Sequence, residues 1–294
     1  MKKYEKAIEM ILFISATAAT LSVFLITFFI FREGLPLLLD YGILNFVFGS
    51  NWAPTNGNYG ALPMIIGSVS VTVGALIIGV PMGIACAIFL AEIAPKPLVK
   101  VFKPAIELLA GIPSVVYGFF GLSVLVPMIR TYVLPIVQKF NPDAFTSGYS
   151  ILGGALILAV MILPTIINIS ENSIRAVPTE YKQGSLALGA SQFETISRVI
   201  VPAAKSGIIA SVVLGMGRAV GETMAVILIT GNMPKIPGSP LDSVATMTGT
   251  IAMEMGYATP VHQKALFATG IILFIFIMLL NVTATFTTRK LGRE

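Results

Sequence analysis

Apolar residues in this chain neither alternate nor keep to one helical stripe; they come in long runs separated by short polar stretches. Runs longer than about 18 residues mark membrane-spanning helices, which satisfy their backbone internally and can be apolar on every face. Six are predicted, over about 8–31, 66–92, 107–129, 150–170, 207–230 and 265–287. The fold class expected is all-α and integral to a membrane, with six transmembrane helices.

Composition agrees with the pattern: 55% of the 294 residues are hydrophobic, 11% are charged, and the mean hydropathy is +0.89. The net charge of +5 does not point to nucleic acid, because its placement is topological. Thirteen Lys and Arg fall on the N-terminus, stretch 93–106, stretch 171–206 and the C-terminus, and only five on the opposite side. Positive residues stay cytoplasmic, so both termini are expected on the cytoplasmic side of the membrane. The basic start of 1–31 is followed by an apolar run too long for a secretory h-region, and it is read as a retained first helix.

Cys86 and His262 are each the sole residue of their type. No intrachain disulfide or thiolate cluster can form, and no metal or other cofactor is expected. The outer stretch 32–65 is rich in turn formers and carries Trp52, which suits a membrane–water boundary. The chain divides into residues 1–65, the first helix and outer loop, and residues 66–294, the membrane core. Gly74, Gly79 and Gly83 inside the second span are read as packing positions. Glu92 and Glu107 fall at span ends and read as solvated acids. Glu254 reads either as a surface acid or as part of an outer docking surface.

The stretch 171–206, "ENSIRAVPTEYKQGSLALGASQFETISRVIVPAAK", is unusual for a loop between spans. It predicts a cytoplasmic amphipathic helix with Tyr181, Leu186, Leu188 and Phe193 offering apolar contacts, interrupted at Gly189 and Ala190 and stopped by Pro202. Such a segment can lie on lipid or serve as a handle for a partner. Its spacing resembles the E-A-A, three residues, Gly, nine residues, I-x-L-P pattern of ABC importer permeases. Here Gly189 is followed by nine residues and then Val199, Ile200, Val201 and Pro202, while Gln183, Gly184 and Ser185 stand in place of E-A-A.

Four further motifs, "FGSNW…YGALPMIIGS", "ELLAGIPSVVYGFFGL", "MILPTIINIS" and "GMGRAVGETMAV", resemble the permeases of phosphate-specific ABC importers, the PstC type in particular. The resemblance implies a type I importer permease fold and half of a translocation path worked by alternating access. It also implies a PstA-type partner permease, two cytoplasmic ATPase subunits and an extracytoplasmic phosphate-binding protein. The segment Gln183, Gly184, Ser185, Leu186, Leu188, Gly189, Ala190 and Pro202 would be the ATPase-coupling element. No G-x-x-x-x-G-K-[ST] phosphate loop occurs, so the chain itself is not expected to hydrolyse ATP or to be an enzyme.

Arg218 and Glu222 carry charge into the fifth apolar run. On a continuous helix they would share one face about 6 Å apart in height. Lipid exposure of an arginine costs about 2.5–3.5 kcal/mol, whereas an i,i+4 pair contributes only about 0.2–0.5 kcal/mol. An aqueous substrate path is the better account of the two charges. The guanidinium offers a fork of donors suited to phosphate oxygens, and Glu222 would either accept the proton of hydrogenphosphate or loosen the arginine's hold. The alternatives are a proton-coupled secondary anion transporter using the same two residues, or a permease for another oxyanion.

Overall fold

The structure is a computed structural model that describes residues 2–142 and 145–291. Side chains are described for 6, 8–142 and 145–283, which leaves out Lys2, Lys3, Arg289, Lys290 and Arg293 of the charge count above. Long helices account for most of it. α1 (Lys2–Tyr41) leads through α2 (Ile43–Phe48) into a small antiparallel hairpin, β1 (Trp52–Ala53) and β2 (Asn58–Tyr59). Then follow α3 (Leu62–Ile93), α4 (Lys96–Gly111), α5 (Ser114–Gln138) and α6 (Ile151–Arg175). The remainder is α7 (Thr179–Ala187), α8 (Gln192–Ala203), α9 (Lys205–Gly221), α10 (Met224–Ile229), α11 (Met247–Glu254) and α12 (Pro260–Leu291).

Among the described residues five helices are long and apolar enough to cross a membrane, and the α8–α9 pair, bent by 68°, makes a sixth when taken as one span. The predicted count holds, but several boundaries move. α1 runs ten residues past its predicted end at residue 31 because Leu37 and Leu38 bury against the hairpin and α12. The stretch 93–106 is not a loop. It belongs largely to α4, an amphipathic helix that also takes the first turns expected of span three. Span three starts only at Ser114, since a residue before proline is pushed out of the α region and Ile112 is accordingly extended at ψ 128°.

The core forms where α3 and α6 run face to face. Gly79 and Gly83 let the two backbones approach: a Cβ on Gly79 would sit 2.9 Å from Ile162 Cδ1, and one on Gly83 2.7 Å from Ile166 Cγ2. Those glycines are packing residues, as expected. Ile157, Ile162, Ile166, Ala219, Ala225 and Ile229 bring α6, α9 and α10 into the same cluster. A buried hydroxyl pair, Ser170 to Ser211 at 2.8 Å, ties α6 to α9. At the far end a second cluster gathers Phe46, Trp52, Tyr59, Met64 and Leu266. Trp52 is only 6% exposed. It is a core residue of that collar rather than the lipid-boundary anchor its type predicts.

Candidate functional site

The fifth apolar run is not one helix. α9 ends at Gly221, Glu222 is extended (φ −67°, ψ 134°), Thr223 is irregular, and α10 begins at Met224. The shared helix face expected for Arg218 and Glu222 is lost because Glu222 has left the helix, and the i,i+4 pair weighed against the path reading does not form. Its Oε1 accepts a hydrogen bond from the Ala225 amide at 3.1 Å, capping α10 in the sense that favours an acid at a helix N-terminus. The Glu222 carbonyl accepts from Thr248 Oγ1 of α11 at 2.8 Å. α11 thus holds the break in place from outside.

Arg218 occupies the last turn of α9, where a cation is favoured by the helix dipole. It is half-buried and has neither a hydrogen bond nor an ion pair among the described residues. On α5, Tyr117 is buried and donates to the Leu109 carbonyl at 2.8 Å, bracing the α4–α5 break. Beside Arg218, Gly217 and Gly221 face open space: an added Cβ on either meets no atom within 4 Å. Together these residues put an unpaired guanidinium on an open, glycine-faced side of a broken span.

The other predicted element stands at the opposite end of α9. Gly189 takes φ +87° and closes α7 with two backbone bonds, Gly189 N to Leu186 O at 3.0 Å and Ala190 N to Ser185 O at 3.2 Å. That is a Schellman ending, in which a left-handed glycine satisfies the last carbonyls. α8 starts on a capping box between Ser191 and Glu194. The Ser191 amide, and then its hydroxyl, hold the Glu194 carboxyl below its usual pKa. Ser185 Oγ meets Thr195 Oγ1 at 2.9 Å and ties the two helices into a bent hook.

The hook turns apolar groups outward: Leu188 is 92% exposed and Phe193 79%. Tyr181, Gln183, Gly184 and Leu186 are exposed as well. Pro202 does not stop α8. The wide turn Ile196–Ile200 before it accommodates the missing N–H, and the chain bends only at Ala204.

Sequence reasoning missed how the hook is rooted. Lys182 pairs with Glu92 at 2.5 Å, so Glu92 is not merely solvated. Glu171 is 1% exposed, bonded to Arg175 Nε at 2.8 Å, with its second oxygen 3.4 Å from Lys103 Nζ but in no aligned hydrogen bond. Arg175 also donates to the Leu90 carbonyl at 2.8 Å. The i,i+4 spacing of Glu171 and Arg175 was the available signal. Glu107, by contrast, is exposed as expected. Among the described residues no group of His, Cys, Asp and Glu could hold a metal.

A family model described as "Binding-protein-dependent transport system inner membrane component" matches residues 79–293. The chain belongs to that family. Among relatives of this inner-membrane component, the probable ABC transporter permease protein YqgH of Bacillus subtilis (strain 168) is 43% identical over 87% of this chain and 83% of its own. The phosphate transport system permease protein PstC of Mesorhizobium japonicum is 37% identical over 84% of this chain and 79% of its own. In fold, the transport component is similar to a chain of a bacterial ABC transporter involved in the import of the acidic polysaccharide alginate. That match has a TM-score of 0.64 at 15% identity, over 99% of both chains.

Proposed function

We propose that this chain is the PstC-type permease subunit of an ATP-driven phosphate importer and forms half of its translocation path. Several PstC phosphate permeases match it over most of their length. The observation that carries the role of the site is the unpaired guanidinium of Arg218 beside the open faces of Gly217 and Gly221. A half-buried cation without a protein partner is costly unless water or an anion reaches it. Arg218 supplies a planar donor fork for phosphate oxygens. The second oxygen of Glu222 has no partner among the described residues and is available to accept the phosphate proton.

The hook of α7 and α8 is the ATPase handle in this reading. Leu188 and Phe193 would enter a cleft on a cytoplasmic ATPase subunit, and the Lys182–Glu92 ion pair would pass its movement to α3, which Arg175 of α6 grips at the Leu90 carbonyl. Both termini then lie in the cytoplasm, with the Trp52 collar outside. A PstA-type permease completes the path, two ATPase subunits bind the hooks, and an extracytoplasmic phosphate-binding protein delivers substrate. Family membership favours this importer over a proton-coupled secondary carrier, which has no use for an exposed handle.

The test is ATP-dependent uptake of labelled phosphate against sulfate by the reconstituted complex. Uptake should require ATP and the binding protein and should prefer phosphate. Arg218→Lys should cut it at least tenfold without loss of assembly, since the charge stays but the fork is lost. ATP-independent uptake, or equal transport of sulfate, would refute the assignment.

A further inference from the structure

Away from the path, the collar end carries a cup of about 370 Å³ lined by Pro54, Thr55, Glu254, Tyr257, Thr259 and His262. At its base sits the Glu254 carboxylate. Oε2 accepts from Trp52 Nε1 at 3.0 Å and meets His262 Nε2 at 2.7 Å. Two aromatic heterocycles thus fix one oxygen and leave Oε1 with no hydrogen bond among the described residues. Tyr257 lines the cup at 71% exposure, its ring 6.4 Å from that of His262.

We propose that this cup receives one basic side chain, lysine or arginine, from the extracytoplasmic protein that docks on the importer. The inference rests on the importer reading above and specifies a contact within it. A carboxylate held on one oxygen, in a cup that an exposed tyrosine also lines, joins the two features that attract an ammonium or guanidinium group: an opposite charge and a ring quadrupole. A divalent metal does not fit, because one carboxylate falls far short of the six to eight oxygens calcium takes. An anion does not fit either, since Glu254 repels it. The cup also connects to the path. Glu254 ends α11, and Thr248 near the start of the same helix holds the Glu222 carbonyl. A side chain seated in the cup therefore acts on one end of a short rigid helix whose other end fixes the break beside Arg218.

The experiment uses the assembled transporter in nanodiscs, with its phosphate-loaded extracytoplasmic phosphate-binding protein as the probe, and reads ATPase stimulation against binding-protein concentration. Glu254→Gln keeps the hydrogen bonds to Trp52 and His262 but removes the charge; it should raise the half-stimulating concentration about tenfold. Tyr257→Leu removes the ring from an exposed position and should raise it about three- to fivefold, which carries the test should the first variant assemble poorly. Basal ATPase activity should be unchanged in both. Alanine scanning of lysines and arginines on the binding protein should find one whose loss matters in wild type and adds nothing in Glu254→Gln. Unchanged half-stimulating concentrations in both variants, with wild type stimulated normally, would overturn the cup alone. No stimulation of wild type would overturn the importer reading and the cup with it.

Discussion

The two interruptions that bracket the α8–α9 span are built differently. At Gly189 the break is closed locally: a left-handed glycine ends α7, a capping box starts α8, and a hydroxyl pair within ten residues braces them. At Glu222 the break combines local and distant contacts: α9 ends at Gly221, and Thr223 Oγ1 donates to the Gly221 carbonyl at 3.2 Å. The Glu222 carbonyl is held by Thr248, 26 residues onward, and the Glu222 side chain is spent on capping α10. A locally closed break is a rigid hook that can be pushed as a unit. A break that also depends on a hydrogen bond from a distant helix can change shape when that helix moves. The first suits a handle and the second a gate.

Substitutions that attack each break in its own way sharpen this contrast. The largest effect is expected for Gly189→Val, because a β-branched residue is strongly strained at φ +87°. Transport should fall more than tenfold, with normal membrane insertion and weakened retention of the ATPase subunit in detergent pull-downs. Gly189→Asn, which tolerates the left-handed region, should recover most of the activity. A smaller effect is expected from Thr248→Val, which deletes the hydroxyl holding the Glu222 carbonyl at nearly constant volume. It should cost about 1 kcal/mol and lower uptake several-fold while leaving ATPase retention intact. The smallest belongs to Ser191→Ala. Losing the cap costs about 1 kcal/mol of local helix stability, visible as faster amide hydrogen exchange in residues 191–195 with transport nearly unchanged.

The same contrast explains what could be read from the chain alone. The spans were legible because apolar runs of membrane length admit few other structures. The hook was legible because Gly189 is a local signal and its spacing to Pro202 matches the permease pattern. The Glu222 break was not. "GRAVGETMAV" lies inside an apolar run of membrane length and reads as continuous helix, whereas the Glu222 cap on α10, the hydrogen bond from Thr248 and the packing of α10 against Gly118 and Gly121 hold the chain out of it. A helix-spacing argument therefore put Arg218 and Glu222 on one face, whereas the fold separates them and leaves Arg218 unpaired among the described residues. Trp52, Glu254 and His262 escaped for a similar reason. Trp52 and His262 are each the sole residue of their type and Glu254 was read as a surface acid or part of a docking surface, so nothing linked the three, yet residues 202 apart share a hydrogen bond in the fold.

The central claim is that Arg218 and Glu222 serve an anion path rather than the stability of the fold. The measurement that tests it most directly is ATP-dependent uptake of labelled phosphate by the double variant Arg218→Met/Glu222→Leu, reconstituted at equal protein level with its partner subunits. Both charges are then gone at once, so no unpaired buried charge remains to disrupt assembly. The account predicts a complex that assembles normally and takes up no phosphate above background. Near-normal uptake by that variant would contradict it.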